Sequence, residues 1–318
     1  MKYKTYIKIL FSSLAMILAM TIVYAVDFSK NYPLPVTNRI SFDAKLKFIR
    51  EHIDVDSVDT IIIGSSIGLN NIQGEYLQKK SKKCKSVLNL SVFEATALQA
   101  EQLFELTAAF SKLERIIYSA QYSDFPHLKV FKGFDPKFLM KYMRDELNPL
   151  SYQALILRSC NNISFCYKRE KEWISKHMQN NKFEYLGFDS TGSVPLSIYG
   201  DDIIEHRWRL PQPGIMNGKS FEAVYRMAKT ATKKDIKFYL AHQPYRQKLY
   251  DKHKTVKDAM LYFDKRIKAI FDEVGGDLII LQDLHLSDEY FSDRTHLNAK
   301  GSKMTANAIA EYIDKTEK

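Results

Sequence analysis

Five short apolar runs along the chain predict the strands of a sheet. Each run is rich in Ile, Leu, Val, Tyr or Phe and stops at small or polar residues, which is typical of buried strands. Longer stretches with apolar residues at helical spacing lie between them. This alternation predicts an α/β fold of the flavodoxin-like type, with three layers, about five parallel strands and helices on both faces. The predicted strands are Thr60–Gly64, Ser86–Leu90, Arg115–Ser119, Lys237–Ala241 and Asp277–Leu281, and the helices between them are Gly74–Lys83, Ala95–Phe110, Phe221–Lys233 and Val256–Val274.

The N-terminus carries an uncharged apolar run, Ile9 to Val26, which follows Lys2, Lys4 and Lys8. At ~1.5 Å per residue, such a run reaches the lower limit for spanning a bilayer core. Lysines before the run and Asp27 after it favour a cytoplasmic N-terminus with the body exported. Residues 1–26 are therefore a membrane anchor, or a signal peptide cleaved after Val23-Tyr-Ala25. Either reading puts the body on the periplasmic or cell-surface side.

The rest of the chain divides into a connecting region and one large domain. Residues 27–56 begin as a polar linker containing Pro33 and Pro35 and continue into a first amphipathic helix, Phe42 to His52. Residues 57–318 form the α/β domain, and its rhythm is interrupted at about 127–217. We expect this stretch to be an insertion over one edge of the sheet, either setting specificity or serving as a packing subdomain. Helices are predicted within it at Met140–Leu147, Tyr152–Arg158 and Lys168–Asn180.

Composition narrows the class of protein. The formal net charge is +10, but the lysines are scattered through helical segments and no nucleic-acid-binding motif accompanies them. Solvated helix faces explain this charge best, and a mild attraction to anionic lipids or glycans is the alternative. Three cysteines permit a Cys160–Cys166 disulfide in an exported protein, or three free thiols. The sequence has no motif for a metal or an organic cofactor, so neither is expected.

The candidate chemistry comes from two distant segments. The first predicted strand ends in Gly64-Ser65-Ser66, which puts a serine hydroxyl at the carboxyl end of a parallel strand, where open α/β sheets place their sites. Asp293 and His296 stand three residues apart before a predicted terminal helix, Asn298 to Ile313. A histidine can take the serine proton, and an aspartate can orient the imidazole. The two serines compete as nucleophile or as turn residues, and we favour Ser66.

These segments resemble the SGNH (GDSL-type) hydrolases. Gly64-Ser65-Ser66 is similar to the first sequence block of that family, with Ser66 at the nucleophile position, and Asp293-Arg-Thr-His296 is similar to its last block. Among its branches, the chain resembles membrane-anchored D-alanyl transfer and O-acetylation proteins of the cell envelope, also through Ser119-Ala-Gln-Tyr122. The resemblance covers about residues 57–125 and 236–314. It implies an SGNH-like domain and a Ser66–His296–Asp293 triad.

Two blocks of the family pattern differ in this chain. The glycine whose backbone N–H helps to hold the oxyanion is replaced, with Glu94 or Ser91 near its position. The family's asparagine is also missing, and we expect the amide of Gln121 to substitute for it as an oxyanion donor. Ser65 and His242 lie at the same predicted edge and are further candidates for substrate contact, although a structural role for His242 stays open. Two tyrosines are candidates for stacking on sugar rings, Tyr122 and Tyr245.

The resemblance implies a serine-dependent acyl-ester transferase or esterase. Its substrate would be an envelope polysaccharide or glycolipid, and a membrane acyl-donor protein would be its partner. Transfer and hydrolysis share the same acyl-serine intermediate, so the motifs do not separate them. The two differing blocks leave an alternative open, a non-catalytic carbohydrate-binding or assembly protein on a degenerate SGNH scaffold.

Overall fold

A sheet of five parallel strands lies at the centre of the domain. The computed structural model describes residues 2–37, 39–159, 163–178, 186–204 and 213–317. Within these ranges the strand order is β2-β1-β3-β4-β5. Every strand overlaps its predicted run, and all four pairings are parallel, so the predicted fold class is confirmed. The strands are β1 (Thr60–Gly64), β2 (Val87–Asn89), β3 (Arg115–Ala120), β4 (Lys237–His242) and β5 (Asp277–Ile280).

Helices cover both faces of the sheet and explain why the strands are apolar throughout. In β1, Ile61 and Ile63 pack into the larger core, whereas Ile62 packs into a second core on the opposite face. Alternate residues of a strand point to opposite faces, so a strand covered on both sides must be apolar at every position. The helices are α1 (Lys2–Asn31), α2 (Ile40–His52), α3 (Ser66–Asn71), α4 (Gly74–Lys80), α5 (Ala97–Glu105), α6 (Pro136–Met143), α7 (Pro149–Ser159), α8 (Ile163–Met178), α9 (Gly218–Lys233), α10 (Gln247–Lys252), α11 (Lys254–Val274) and α12 (Ala299–Thr316).

The N-terminal helix α1 differs from its prediction at its end. Its Tyr3–Asn31 stretch is long and apolar enough to cross a membrane, a test that a signal sequence also passes. The helix continues past Val26, where a polar linker was expected. Ala25 and Phe28 are fully buried in the larger core, so the last turns of α1 belong to the body. Apolar residues in the supposed linker, Phe28 above all, are the physical reason for the difference.

In its described part, the stretch at 127–217 contains α6, α7 and α8 and, from Leu186, a largely irregular segment. That segment runs beside the edge strand β2, where the N–H of Asn89 donates to the carbonyl of Thr191 at 2.7 Å. The N–H of Val194 donates to the carbonyl of Leu69 in α3. These hydrogen bonds cover part of an otherwise open sheet edge. The segment therefore lies against the helix that begins at Ser66.

The cysteines are in two states. Cys166 is disulfide-bonded, and Cys84 is free and buried. Cys160, its predicted partner, lies outside the described residues.

Candidate active site

Ser66 is held at a sharp turn between β1 and α3. The strand ends at Gly64, Ser65 caps the helix, and Ser66 is the first helical residue. Gly64 has a φ of +155°, and a Cβ atom at this position would lie 2.3 Å from the carbonyl oxygen of Ser119. Only glycine allows β1 and β3 to approach so closely here. The turn thus presents the Ser66 hydroxyl at the carboxyl edge of the sheet.

His296 and Asp293 meet Ser66 at this edge. The Nε2 atom of His296 lies 2.9 Å from the Oγ atom of Ser66, and its Nδ1 atom lies 2.8 Å from Oδ2 of Asp293. The Ser66 hydroxyl donates to the imidazole, and the imidazole Nδ1–H donates to the carboxylate. The Asp293 side chain is fully buried, whereas 12% of the His296 side chain is exposed. Folding therefore joins one alcohol, one imidazole and one carboxylate from opposite ends of the sequence.

The carboxylate of Asp293 is kept ionised by its surroundings. Burial alone raises its pKa, but the neighbouring His296 ring and two backbone N–H groups outweigh burial and lower the pKa to about 2. Its Oδ1 atom accepts hydrogen bonds from the N–H groups of Thr295 and His296, at 2.8 and 2.7 Å. A carboxylate held this way fixes the ring orientation and leaves Nε2 free to accept a proton.

Asn71, at the end of α3, ties the serine helix to the histidine loop. Its Nδ2 atom donates to the carbonyl of Thr295, and its Oδ1 atom accepts from the N–H of Leu297, both at 2.8 Å. The side chain is fully buried. One amide therefore holds the residues on either side of His296 against the helix that carries Ser66. The sequence does not single out Asn71, because Asn71 and the histidine loop are far apart along the chain and meet only in the folded protein.

A second carboxyl group lies under the turn. Asp124 accepts a hydrogen bond from the N–H of Gln121 at 3.0 Å and bonds with the hydroxyl of Ser65. Burial raises its pKa to about 7, against the opposing effects of these bonds and of His296 and His242. Ser65 also accepts from the N–H of Ile67, and only 3% of it is exposed. The predicted substrate contact for Ser65 is thus replaced by a structural role in the turn.

The predicted oxyanion role of Gln121 is not supported by the structure. Its side chain is fully buried, and Nε2 donates to the carbonyls of Pro244 and Gln243 at 2.9 and 3.4 Å. The amide therefore links the ends of β3 and β4 instead of pointing at a substrate. The sequence placed Gln121 correctly after a strand but gave no information on the direction of its amide.

Glu94 does not bring its carboxylate into the site. The side chain is 80% exposed, and its carboxylate lies 3.6 Å from the guanidinium of Arg39. Its backbone has a φ of +55°, in the left-handed region that favours glycine. The Glu94 side chain therefore does not crowd the site, and its backbone N–H stays a predicted oxyanion donor. The position nevertheless has the backbone conformation that a glycine would adopt.

His242 is enclosed by the body. It is fully buried, and its Nδ1 atom lies 2.6 Å from Oδ1 of Asp264 in α11. Its ring also packs on Phe263, with centroids 4.5 Å apart. The predicted substrate contact is therefore replaced by a structural one. Tyr122 and Tyr245 are 6% and 3% exposed, so neither presents a free face to a sugar.

Among the described residues, no group of three or more His, Cys, Asp or Glu side chains is arranged to hold a metal ion. Within that part of the chain, the chemistry at the carboxyl edge is organised around Ser66, His296 and Asp293.

No family model matches the chain, and the comparison with curated proteins gives no match. Among solved structures, the chain is similar to a candidate acylhydrolase from Bacteroides fragilis, with 13% identity and a TM-score of 0.44, covering 86% of this chain and 97% of that one. It is also similar to a candidate G-D-S-L lipolytic protein from Desulfitobacterium hafniense, with 11% identity and a TM-score of 0.41, covering 80% and 99%.

A third similar structure is a carbohydrate acetylesterase from Sinorhizobium meliloti, with 10% identity and a TM-score of 0.38, covering 81% of this chain and 99% of that one. These structures are of the kind that the resemblance to SGNH hydrolases predicted. The roles of Ser66, His296 and Asp293 follow from their geometry in this chain.

Proposed function

We propose that the protein is a serine-dependent acyl-ester transferase or esterase that acts through an acyl-serine intermediate. The observation that carries this proposal is the chain of hydrogen bonds from Ser66 through His296 to Asp293, at 2.9 and 2.8 Å. A serine, a base and a residue that orients the base are the parts that nucleophilic acyl transfer requires.

In the first half-reaction, Oγ of Ser66 attacks the carbonyl carbon of an ester. Nε2 of His296 takes the serine proton, and the carboxylate of Asp293 stabilises the resulting imidazolium. The tetrahedral intermediate then expels the alcohol, which receives its proton from Nε2. The products are the free alcohol and an ester between the acyl group and Ser66.

In the second half-reaction, His296 deprotonates either a sugar hydroxyl or water. That oxygen attacks the acyl carbon, and Ser66 leaves as the alcohol after regaining its proton from Nε2. A sugar hydroxyl gives a new ester, and water gives a free acid. The same three side chains serve both outcomes, so the acceptor that reaches the acyl-serine decides between them.

Backbone N–H groups supply the oxyanion stabilisation in this proposal. The N–H of Ser66 is at the start of α3, where helix N–H groups have no partner inside the helix. The second donor that we propose is the N–H of Glu94, whose left-handed conformation fits the position of the family's glycine. Losing one such donor costs about 3 to 4 kcal/mol of transition-state stabilisation, so the arrangement decides how fast the enzyme is.

The substrate that we propose is an O-acylated or acylatable polysaccharide or glycolipid of the cell envelope. The resemblance to envelope acyl-transfer proteins supports this, as does an N-terminal helix suited to a membrane. In this proposal the body lies outside the cytoplasm, and a membrane protein donates the acyl group. Acetyl is one example of the acyl group that we propose.

The test uses the full chain, purified in detergent, with a chromogenic acetyl ester. We expect Ser66→Ala and His296→Ala to lower kcat/KM by about 1,000-fold or more, since the triad acts as a unit. His253→Ala, at the boundary between α10 and α11, is the control and keeps the parental rate. Turnover by both site variants at the parental rate would end the proposal.

The alternative is a non-catalytic glycan-binding protein. One observation favours it. The Gln121 amide donates to backbone carbonyls, so it is not available as the expected oxyanion donor. A fluorophosphonate probe separates the two functions, because it reacts with an activated serine. Labelling at Ser66, located by mass spectrometry, supports the enzyme. Absence of labelling together with measurable glycan binding supports the alternative.

A further inference from the structure

Helix α1 enters the body without a flexible connection. The apolar run ends at Val26, yet Tyr24 already contacts the body, donating its hydroxyl to a carboxylate oxygen of Glu170 in α8 at 2.7 Å. Tyr32 donates to the other carboxylate oxygen at 3.3 Å, and Phe28 between them is fully buried. Contacts on both sides of the end of the run fix the direction of α1 relative to the body.

This attachment sets the height of α8 above a bilayer. Tyr24 lies within the last turns of α1, Tyr32 follows its last residue, and Glu170 bonds both of them. With the apolar run inside the hydrocarbon core, Glu170 then lies in the headgroup layer, which is ~5 to 7 Å deep on each side. Tyr167, one turn earlier in α8, is half exposed.

Large apolar side chains are exposed on α7 and α8, the two helices of the insertion that contact α1. On α7 they recur at helical spacing with the exposed Ala154, and on α8 they include two aromatic rings. Contiguous exposed apolar surface marks contact sites, and on α8 Tyr167 and Ile174, two turns apart, lie on the same side of the helix. The side chains are Leu150, Leu157, Phe165, Tyr167 and Ile174.

Basic residues accompany these apolar side chains. Arg158, Lys168 and Lys171 are exposed on the same two helices. Of the acidic residues of α8, Glu170 is bonded to the tyrosines of α1, and Glu172 lies 3.7 Å from Lys176. Aromatic rings at headgroup depth and lysines facing outward are the features of protein surfaces that rest on anionic lipid.

We propose that α7 and α8 form a second membrane contact, resting on the headgroups of the anionic bilayer that α1 spans. The body is then attached at two places, through the span and through this surface. The proposal depends on α1 spanning a bilayer and is independent of acyl transfer.

The experiment uses the full chain in liposomes of phosphatidylcholine, with or without phosphatidylglycerol, that contain headgroup-nitroxide lipid. Single cysteines carry a fluorophore at Ala154→Cys on α7 and Ser175→Cys on α8. The control is Lys303→Cys on α12, which packs in the core on the other face of the sheet from α1. The native Cys84 is buried, so the parent chain measures background labelling.

We expect the nitroxide to quench both insertion labels and to leave the Lys303→Cys label bright. Lys168→Glu combined with Lys171→Glu should lose quenching at Ala154→Cys in the anionic liposomes. The matched pair Lys229→Glu and Lys233→Glu, on the exposed side of α9, should keep it.

Three results would overturn the proposal. One is equal quenching at all three labels, and another is release of the chain from the liposomes by alkaline washing. The third is an Ala154→Cys label that stays bright in the liposomes. In native membranes, the same label would then be protected from quenching by iodide in the buffer. That last result would indicate a membrane protein on this surface in place of lipid.

Discussion

Two buried aspartates near Ser66 show how the surroundings of one residue type decide its charge. Asp293 receives two backbone N–H groups and the His296 ring, and its pKa falls to about 2. Asp124 is buried with fewer donors, and its pKa rises to about 7. For Asp293, hydrogen bonds to the charged form outweigh the loss of hydration and lower the pKa. For Asp124, the loss of hydration is larger and raises the pKa. The two carboxyl groups therefore differ in protonation over the acidic range.

Asp124 should make the stability of the protein depend on pH. Its pKa rises from 3.8 in the unfolded chain to about 7 in the folded one, so the folded state binds an extra proton between these values. The contribution of Asp124 to the free energy of unfolding then falls as pH rises from 3.8 to about 7 and levels off above that.

Asp124→Asn removes this titration while keeping the shape of the side chain. Relative to the parent, we expect the variant to gain stability as pH rises through this window, by up to about 1.4 kcal/mol per pH unit. Urea unfolding of both proteins at a series of pH values measures the difference. A difference that stays constant from acid to neutral pH would contradict the assignment.

Residue types and strand ends were readable from the sequence, but side-chain directions were not. Ser66, His296 and Asp293 were predicted because the sequence shows their spacing and their positions at the ends of predicted elements. Gln121 and His242 also stand at strand ends, yet they bond to Pro244 and to Asp264. Those partners come from elements whose packing the linear pattern does not specify.

At the scale of elements, α3 and the histidine loop act as one unit. The Asn71 side chain makes two hydrogen bonds to the loop, and the hydroxyl of Thr305 in α12 donates to the carbonyl of Asn71. The distance between Ser66 and His296 thus depends on contacts that neither residue makes itself. Asn71 is a positioning residue in this arrangement.

Asn71→Ala should lower kcat by about tenfold or more with little change in KM, because a misplacement of the base affects the chemical step more than binding. Asn70→Ala is the matched control. Its neighbouring buried amide bonds the carbonyl of Val194 in the insertion and not the histidine loop.

Both variants should unfold at lower temperature than the parent, so kinetics are measured well below their unfolding transitions. An Asn71→Ala enzyme with the parental kcat, or an equal loss of kcat in both variants, would refute the positioning role.

Strands were the elements that the sequence predicted best. Ile61 to Ile63 and Ile116 to Tyr118 are apolar at successive positions because helices cover both faces, and a short run of this kind is typical of a buried parallel strand. The short helices α3 and α10 were missed, since six residues contain too little periodicity to recognise. The continuation of α1 was missed because Asp27 and Lys30 look like a linker, although Phe28 between them is core.

At the scale of the whole molecule, the insertion, the first helices and the sheet form one body. Asp43 in α2 and Arg169 in α8 form a buried ion pair, and the N–H and hydroxyl of Thr37 also donate to Asp43. Burial raises the pKa of Asp43 to about 6 despite these partners. The pair joins the insertion to the helix that packs beside the sheet.

Breaking this pair on one side should destabilise the protein strongly. We expect Arg169→Met alone to cost about 3 to 5 kcal/mol, because it leaves a buried carboxylate without its cation. Asp43→Leu combined with Arg169→Met should cost less than the sum of the two single changes. Urea unfolding of the four proteins in detergent gives the coupling, and simple additivity would contradict a direct interaction.

Helix α1 continues into the folded body, and this fixes the distance between the body and a membrane that α1 would span. A domain on a flexible linker can reach substrates over a range of distances from its membrane. A domain that packs on its own membrane helix, as this one does through Phe28, holds its site at one distance. In the proposed function, a polysaccharide or glycolipid farther from the membrane would stay unmodified, so the acceptor would have to reach the site at that distance.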